Sequence, residues 1–324
     1  MKNKILILGK MPPPIGGVTV HVFRLIEQLE KRNYKHFHFI DLGMESIWKL
    51  ACKILRYKAI HLHTSNPYLN LVVAIYCFLL RKRLIITLHG NWNRFGFAKN
   101  SATRMAVFLS YKTLVQNTFS LKNALNWNSK ATLISSFLPP GNVVPLDPIL
   151  REDLLNFKSR FNLTFCTNAW NVTFDKHGKE IYGICDLIGI FENTPNCCLL
   201  ISDPSGNYER FARNKFTTLP YNVLFIKESH DFCNVLKLSD AFIRNTTTDG
   251  DSISIHEAMF YEIPVFASNC VPRPAGCILF NDIQKIDLEM RLESYRGENK
   301  MPKVADDTTS QLIQIYNDSL IVRK

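Results

Sequence analysis

The sequence predicts an α/β protein of two doubly wound domains that face each other across a central cleft, and three observations predict it. The chain has 324 residues, roughly twice the ~150 residues of an ordinary domain. Short apolar runs rich in β-branched residues alternate with longer amphipathic runs through both halves, which indicates parallel sheets with crossover helices. A proline-rich stretch separates the two halves.

The alternation runs through the chain in order. In the first half its segments cover 4–9, 18–32, 36–42, 46–56, 59–64, 69–80, 84–90, 112–117 and 131–136. In the second half they cover 163–168, 180–193, 197–202, 221–227, 231–239, 240–246, 254–262 and 264–269. Ligands of open parallel sheets bind beyond the carboxyl ends of the strands, so the loops after the strands are where a site is expected.

The stretch "FLPPGNVVPLDP" at 137–148, with four prolines and one glycine, marks the domain boundary. We predict a first domain over 1–140, a linker over 141–160 and a second domain over 161–305. A C-terminal helix over 306–324 is expected to return toward the first domain.

The charge is unevenly distributed between the halves. Residues 1–150 carry 20 Lys+Arg against 5 Asp+Glu, a net charge of +15, whereas the whole chain carries +11. Such a basic domain favours an anionic partner, such as a nucleic acid, an anionic membrane surface or a phosphorylated substrate, over a merely solubilising surface. No nucleic-acid recognition motif accompanies the charge, so that partner ranks last.

The cysteines and apolar runs indicate the compartment. The nine cysteines are scattered without a Cys-x-x-Cys pair, which indicates reduced thiols in a cytoplasmic protein, with disulfides or zinc the lesser alternative. The longest apolar run, residues 69–80, has twelve residues, fewer than the ~20 that span a bilayer. We expect no transmembrane segment, and we interpret the amino terminus as mature protein without a signal peptide.

Two loops of the first half carry candidate site residues. Gly16 and Gly17 directly precede a helix, where bare backbone could approach a phosphate, although a tight turn is the plainer interpretation. This loop has neither the Gly-x-Gly-x-x-Gly nor the P-loop pattern. His89 ends an apolar strand, where its ring could hydrogen-bond a substrate hydroxyl or simply a neighbouring group. His61 and His63 alternate on another strand, and no third ligand is near in sequence, so metal binding is not favoured.

A third loop lies in the stretch "TTTDGDSISIHEAMFYEIPVFASN", residues 246–269. A strand leads into it and a helix follows it. Asp249 lies on the loop and Glu257 on the helix, so both carboxylates could face the cleft. The amides from Gly250 to Ile253 lie between them and, if free, could bind a phosphate or a hydroxyl.

These motifs resemble the glycosyl transferases group 1 family, retaining enzymes of GT-B fold with two Rossmann-like domains. That family has Glu-x7-Glu, then Ala-Met, then a Gly-x-Pro-Val strand. This chain has Asp249-x7-Glu257, then Ala-Met, then Ile-Pro-Val. The Gly16-Gly17 loop resembles the family's acceptor-side loop, and "TLHG" resembles its strand ending in histidine. The resemblance spans nearly the whole chain in the expected order.

The resemblance implies roles for the residues at matching positions. Glu257 would bind the nucleotide ribose, whereas Asp249 and His89 would contact the donor sugar, His89 near its reacting carbon. Gly16 and Gly17 would approach the diphosphate. Further donor contacts are implied for the residues that start the helix: Gly250, Asp251, Ser252 and Ile253.

The chain departs from the family in its cations. Tyr182 stands where the family has lysine, and the arginine expected after the first strand of the second domain is absent. Since those cations neutralise the leaving diphosphate, other side chains must do so here. The candidate diphosphate contacts are Lys176, Lys179 and Arg244, and Arg244 is favoured because it lies on the strand that leads into the donor loop.

The resemblance implies a hexosyltransferase that moves a sugar from a nucleotide diphosphate sugar to an acceptor hydroxyl, with retention and without a metal or other cofactor. A lipid-diphosphate-linked saccharide as acceptor fits the basic first domain. We therefore predict a role in bacterial surface polysaccharide (O-antigen or capsule) biosynthesis. The protein would be cytoplasmic or peripheral on the inner face of the cytoplasmic membrane.

Three other hypotheses remain open. Asp249 and Asp251 could form the Asp-x-Asp metal site of a GT-A enzyme, although two alternating halves argue against it. The chain could be a nucleotide-sugar 2-epimerase of the same fold, which needs no acceptor. The departures at the cation positions also fit a non-catalytic sugar-nucleotide-binding subunit.

Overall fold

The chain forms two compact units. The structure, a computed structural model, describes residues 4–13, 16–175, 177–298 and 308–321. Unit 1 comprises Met1–Gly141 together with Asp306–Lys324, and unit 2 comprises Asn142–Ala305. Each unit contains a six-stranded parallel sheet, so the prediction of two parallel α/β folds is confirmed.

Unit 1 is built on a sheet in which β1 lies between β2 and β3. The strands are β1 (Ile5–Gly9), β2 (Phe37–Asp41), β3 (Ala59–His63), β4 (Arg83–Leu88), β5 (Lys112–Val115) and β6 (Thr132–Leu133), in the order β2-β1-β3-β4-β5-β6. The helices are α1 (Gly17–Lys31), α2 (Ile47–Leu55), α3 (Pro67–Leu79), α4 (Phe97–Leu109), α5 (Thr118–Leu125) and, from the C-terminal segment, α12 (Thr308–Leu320).

The helices of unit 1 cover both faces of its sheet. Successive strand side chains point to opposite faces, so Leu6 and Leu8 pack with helices α2 to α5. Ile5 and Ile7 face the other way and pack with α1 and α12, where Tyr316 of α12 is fully buried. Each face therefore has its own apolar core, and a segment remote in sequence completes one of them.

Unit 2 repeats this architecture. The strands are β7 (Leu163–Asn168), β8 (Cys197–Ser202), β9 (Val223–Ile226), β10 (Ala241–Arg244), β11 (Val265–Ser268) and β12 (Ile278–Phe280), in the order β12-β11-β10-β7-β8-β9. The helices are α6 (Pro148–Lys158), α7 (Ile184–Glu192), α8 (Asn207–Lys215), α9 (Phe232–Lys237), α10 (Ile253–Phe260) and α11 (Leu288–Glu298), with a short 3-10 helix at Ile283–Lys285.

Helix α6 lies within the stretch that the prolines led us to interpret as linker. Asp147 occupies its N-cap position and accepts hydrogen bonds from the amides of Ile149 and Leu150, 2.9 and 3.3 Å away. Pro148 is the first helical residue, where proline is favoured because its missing N–H has no intrahelical partner in any case. Pro148, which the sequence analysis interpreted as part of a linker, therefore begins helix α6.

The most apolar run of the sequence forms α3 on the surface of unit 1. Its Val73, Ala74 and Cys77 pack against the sheet. Across the described ranges of the chain, no helix is both long enough and apolar enough to cross a membrane.

Candidate functional site

Three neighbouring strands of unit 2 bring polar side chains to one edge of the sheet. Strands β11, β10 and β7 are adjacent, and their last residues are Ser268, Arg244 and Asn168. Because the strands are parallel, these three residues lie at the same carboxyl edge. The loop that carries Asp249 follows β10 and lies at this edge as well.

Two arginines hold Asp249. Its Oδ2 atom lies 3.0 Å from Nε of Arg244 and 3.0 Å from Nη1 of Arg273. The side chain of Arg273 is 1% exposed, and those of Arg244 and Asp249 are each 11% exposed. Burial opposes ionisation of Asp249, but the charges and hydrogen bonds of Arg244 and Arg273 outweigh it and lower the pKa of this carboxyl to about 2. Two buried guanidinium groups therefore face one carboxylate.

Arg273 is fixed by further contacts and was missed by the sequence analysis. Its Nε donates to the backbone carbonyl of Ser268, 3.0 Å away, and its Nη2 donates to Oγ1 of Thr246, 2.9 Å away. Arg273 lies in the loop after β11, whose neighbour in the sheet is β10. An arginine in the loop after the next strand was a signal that could have identified it.

Arg244 also lies over an aromatic ring. Its guanidinium carbon is 5.0 Å from the ring centroid of Tyr182, the residue at the position where the resembled family has lysine. Asn168 links the arginine to α10, because its Oδ1 lies 3.4 Å from Nη1 of Arg244 and its Nδ2 donates to Oγ of Ser254 at 2.8 Å. A cation from β10 therefore lies beside the side chain that replaces the family's lysine.

The start of α10 differs from the expectation in one respect. The amide of Gly250 is not free, since it donates to Oδ1 of Asp249 at 3.0 Å. The short carboxylate side chain accepts the amide that directly follows it in the loop. Ser252 stands at the N-cap position, but its hydroxyl makes no capping hydrogen bond and is buried without a partner. Oδ1 of Asp251 lies 2.5 Å from Nε2 of His256.

Glu257 lies on α10 and is 5% exposed. The thiol of Cys233, on α9, lies 3.9 Å from Oε1 of Glu257.

The other two candidate diphosphate contacts are Lys179 and Lys176. Lys179 is exposed and its backbone amide donates to Asp175 at 3.0 Å, whereas Lys176 lies outside the described residues.

In unit 1, the candidate residues lie near the carboxyl ends of β1, β3 and β4. Gly16 is the N-cap of α1 and Gly17 its first residue. His89 follows β4, and its ring centroid lies 5.1 Å from that of His21 on α1 and 5.4 Å from that of His63 at the end of β3. Helix α1 thus brings the glycine loop and the histidines to one edge of this sheet.

A chain of hydrogen bonds connects His89 to the interior of unit 1. Nε2 of His89 lies 3.1 Å from Nδ1 of His63, and Nε2 of His63 lies 3.2 Å from Nδ1 of His61. Nε2 of His61 then lies 2.7 Å from Oγ1 of Thr87. At the other end, the amide nitrogen of Gln116 lies 3.4 Å from Nδ1 of His89. The ring of His89 is therefore not free, because each nitrogen has a protein partner within unit 1.

Burial keeps these imidazoles neutral. Burial and the neighbouring His21 lower the pKa of His61 to about 3. Burial, followed by repulsion from the other histidines, also lowers the pKa values of His63 and His89 well below their usual range. A neutral ring donates from one nitrogen and accepts at the other, so the tautomers set the direction of these hydrogen bonds, and Nδ1 of His61 also lies 2.8 Å from the Tyr316 hydroxyl.

Comparison with solved structures identifies the fold. HepE of Anabaena, in complex with UDP and glucose, matches with a TM-score of 0.67 and 14% identity over 98% of each chain. The chain has the GT-B fold. Sucrose-phosphate synthase from Thermosynechococcus elongatus matches this GT-B chain with a TM-score of 0.60 and 15% identity, over 98% of this chain and 96% of that chain. WaaG, a glycosyltransferase involved in lipopolysaccharide biosynthesis, matches with a TM-score of 0.53 and 13% identity, over 98% of this chain and 90% of that chain.

Sequence comparison alone does not reach these proteins. No protein-family model matches the sequence, and no curated protein matches it. The GT-B fold is therefore recognised through the backbone, at identities of 13 to 15%.

The two aspartates that suggested a metal motif are each paired with a cationic or basic side chain. Asp249 pairs with Arg244 and Arg273, and Asp251 pairs with His256. In the part of this GT-B chain that the structure describes, no group of three or more His, Cys, Asp or Glu residues is arranged to hold a metal ion.

Proposed function

We propose that the protein is a glycosyltransferase that moves a hexose from a nucleotide diphosphate sugar to an acceptor hydroxyl. The observation that carries the proposal is the cluster at the carboxyl edge of the unit 2 sheet, where Arg244 and Arg273 face Asp249. This is the edge at which open parallel sheets bind ligands. The cluster carries one positive charge in excess and suits an anionic ligand. The complex of HepE with UDP and glucose, on the same fold, supports a nucleotide sugar as that ligand.

The leaving diphosphate would be neutralised by this excess positive charge. Arg244 lies beside Tyr182 and so supplies a cation near the position from which the lysine is missing. The first amides of α10 and the buried, unpartnered hydroxyl of Ser252 add hydrogen-bond donors at the same edge. Donors and charges fixed before the reaction stabilise a leaving anion without reorganisation, so the reaction would require no metal ion or other cofactor.

Glu257 and Asp249 would have different tasks. Glu257 would bind the ribose hydroxyls through its carboxylate. Asp249, whose low pKa keeps it charged, would orient the two arginines and approach the donor sugar through its loop. We further propose that the sugar is transferred with retention of configuration, as the resemblance implies. Gly16 and Gly17 would allow the backbone of unit 1 to approach the diphosphate.

His89 would contribute a neutral ring to the sugar site. Its longer contact, 3.4 Å to the amide of Gln116, is the one that a substrate hydroxyl could replace as donor to Nδ1. The shorter contact to His63 would keep the ring in place.

We also propose an acceptor carried on a lipid diphosphate, in the assembly of bacterial surface polysaccharide such as O-antigen or capsule. The net charge of +15 over residues 1–150 supports an anionic acceptor at a membrane surface. The involvement of WaaG in lipopolysaccharide biosynthesis supports this pathway class. The protein would act in the cytoplasm, at the inner face of the membrane.

A thermal-shift screen against UDP, GDP, dTDP and ADP and their sugars tests the donor. A ligand that binds only the folded state raises the melting temperature, so one nucleotide series is expected to do so. Absence of any shift at millimolar concentration would contradict the proposal. Transfer to a lipid-diphosphate acceptor should then persist in EDTA, and loss of activity there would refute metal independence.

Replacing Glu257 tests the site itself. Glu257→Ala is expected to abolish transfer and to weaken the nucleotide shift while leaving the fold intact, because it removes the carboxylate that binds ribose. The matched control is Glu293→Ala, since Glu293 is exposed on α11. Full transfer activity of the Glu257→Ala variant would contradict the proposed donor site.

A second candidate function is a non-catalytic nucleotide-sugar-binding subunit. The tyrosine at position 182 and the missing arginine after β7 favour it, because the resembled family uses those cations to neutralise the leaving diphosphate. Calorimetric binding of a donor without turnover over a broad acceptor panel would support it. Formation of an isomerised sugar nucleotide from donor alone would instead indicate an epimerase.

A further inference from the structure

The outer surface of helices α2 to α5 is unusually apolar. Trp48, Leu79 and Phe97 are 81%, 72% and 84% exposed. We define the apolar face as the exposed large apolar side chains of these four helices together with Trp127, which lies two residues after α5. Its members are Trp48, Leu55, Tyr68, Val72, Ile75, Phe78, Leu79, Phe97, Met105, Phe108, Phe119, Leu125 and Trp127.

The apolar face is continuous because the four helices cover the same side of the unit 1 sheet and contact one another. Buried residues of all four belong to a single core cluster on that side. The Tyr76 hydroxyl of α3 donates to the carbonyl of Ala51 in α2, 3.1 Å away. Asn128, after α5, donates to the carbonyl of Val107 in α4 at 3.0 Å.

Within α3 and within α4, the exposed apolar side chains lie on one side of the helix. On α3, Tyr68, Val72, Ile75 and Leu79 follow a spacing of three or four residues and share one side, while the opposite side is buried. On α4, Phe97 and Phe108 are eleven residues, or three turns, apart and therefore project in nearly the same direction.

The other side of the sheet contrasts with this surface. Within the described residues of α1, of α12 and of the position after α12, the exposed large apolar side chains are Phe23 and Ile321, 40% and 57% exposed. Exposed apolar area is therefore concentrated on one side of unit 1. An extended apolar patch at a protein surface marks an interaction site.

The same segment carries an extreme charge. Residues 46–130, which span α2 to α5, contain 13 Lys+Arg and no Asp or Glu. Two of the basic residues, Arg81 and Lys82, follow the exposed end of α3 directly, and Lys82 donates to the carbonyl of Leu55 at the end of α2, 2.7 Å away. Arg104 projects from α4 on the side of Phe97 and Phe108. The segment that forms the apolar face thus places cationic side chains beside it and contains no acidic residue.

We propose that the apolar face is a docking surface for an anionic lipid bilayer, in which aromatic side chains of α3 and α4 enter the headgroup region. Moving large apolar side chains from water into the headgroup region lowers their free energy, and the surrounding cations are attracted to anionic headgroups. Long Lys and Arg side chains extend their charged ends to the phosphates while their stems remain near the apolar surface. The absence of acidic residues from 46–130 favours a bilayer over a second copy of this chain, because two such surfaces would repel each other.

This inference deepens the proposed function by naming the surface that would bring the enzyme to a lipid-linked acceptor. Its evidence lies wholly in unit 1 and does not depend on the donor cluster of unit 2. Failure of the two ideas can therefore be told apart.

Flotation with lipid vesicles tests the docking surface. Wild-type protein is expected to float with vesicles of phosphatidylcholine and phosphatidylglycerol and to bind pure phosphatidylcholine more weakly. The Phe78→Ser/Phe108→Ser variant should bind the anionic vesicles at least about tenfold more weakly, because two aromatic side chains no longer enter the bilayer. The matched control, Tyr221→Ser/Met290→Ser, removes two exposed apolar side chains of unit 2, 67% and 64% exposed, and should bind as wild type.

A second variant and a ligand test complete the design. Phe97→Ser/Leu79→Ser alters the same surface at more exposed positions, so a folding defect in the first variant does not decide the result. Both variants should keep the wild-type melting shift with UDP or whichever nucleotide binds. A lost nucleotide shift with retained flotation would count against the donor proposal alone.

Several outcomes would overturn the docking surface. These are wild-type protein that does not float, wild-type protein that binds both vesicle types equally, and face variants that bind like wild type. Binding that disappears completely in 1 M salt would show electrostatic adsorption without insertion and would also overturn it. Sedimentation of wild type as a dimer and of the face variants as monomers, without flotation, would assign the surface to self-association instead.

Discussion

The side chains around Asp249 illustrate what single residues contribute. A carboxylate buried to this degree would ordinarily resist ionisation, yet the adjacent guanidinium groups lower its pKa to about 2. Arg244 is five residues away in sequence, whereas Arg273 is 24 residues away. The excess positive charge of the cluster depends on this second, distant arginine.

At this scale we predict that Arg273→Met lowers the free energy of unfolding by about 3 kcal/mol, because removing one member of a buried ionic cluster leaves its partners uncompensated. In an Asp249→Asn background the same substitution should cost at least about 1 kcal/mol less, since the two side chains interact directly. Urea denaturation of the four proteins measures this coupling. The control is Arg291→Met, at an exposed position of α11, and strict additivity of the two substitutions would contradict the prediction.

Strand periodicity explains the histidine chain at the scale of elements. His61 and His63 are two residues apart on β3 and therefore point to the same face of the sheet. That face is covered by α1 and α12, which supply His21 and Tyr316. With His89, which follows β4, four imidazoles meet here, and burial keeps His61, His63 and His89 neutral.

The neutral chain predicts a pH dependence of stability. The pKa of His63 is lowered in the folded protein, while in the unfolded chain it is about 6.5. The unfolded state therefore binds more protons below that pH, and stability falls as the pH decreases. His63→Asn should flatten this fall by about 1.4 kcal/mol per pH unit below pH 6. The exposed His36 gives the control His36→Asn, and parallel curves for wild type and His63→Asn would contradict the argument.

The start of α7 allows a sharp test of an element boundary. Gly183 has a φ of 57°, and a Cβ atom there would lie 2.6 Å from the backbone oxygen of Asn245. Gly183→Ala should lower the free energy of unfolding by about 2 kcal/mol or more, because left-handed backbone and a backbone clash add together. Gly189→Ala, in the same helix and with open space around it, should instead stabilise by about 0.5 kcal/mol. Equal effects of the two substitutions in chemical denaturation would refute this reasoning.

The chain as a whole is organised by a segment that returns to the unit where the sequence began. Helix α12 belongs to unit 1, where Leu312 and Tyr316 complete the core cluster that includes Ile5 and Ile7. The Tyr316 hydroxyl lies 2.8 Å from Nδ1 of His61. The last described helix thus stabilises both the first strand and the histidine chain.

At the scale of the whole molecule we predict that Tyr316→Ala lowers the free energy of unfolding by about 3 to 5 kcal/mol, since it empties a fully buried aromatic site. Thermal unfolding monitored by circular dichroism measures the loss. Tyr221→Ala, at an exposed position of unit 2, is the control and should change little. An unchanged melting temperature for Tyr316→Ala would mean that α12 contributes nothing to unit 1.

Much of the fold could be predicted from the sequence because parallel strands buried on both faces are marked by uninterrupted apolar runs. The runs at β1, β4 and β8 are of this kind, and all of them form strands of the two sheets. Helices α4, α5, α6, α8 and α11 and strand β12 were overlooked. In α4, apolar side chains lie on the outside as well as the inside, which blurs the helical period, and in α6 a proline at the first helical position looked like a break.

The candidate site could be predicted only in part. Asp249, the helix α10 that follows its loop and Glu257 on that helix are local, since one short stretch of sequence contains all three. Gly16, Gly17 and His89 likewise stand at strand and helix ends that local patterns define.

The sequence by itself determined the alternating elements, the basic first half and the loop that holds Asp249, because each depends on residues near one another in the chain. Only the tertiary structure decided that Arg273 would share Asp249 with Arg244, that Tyr182 would lie under that arginine, and that His89 would connect to His63. Strand order sets these contacts, since parallel neighbours bring together loops that are distant in sequence. Side-chain charge and pKa follow from that proximity and from burial, and neither property is written in a local pattern.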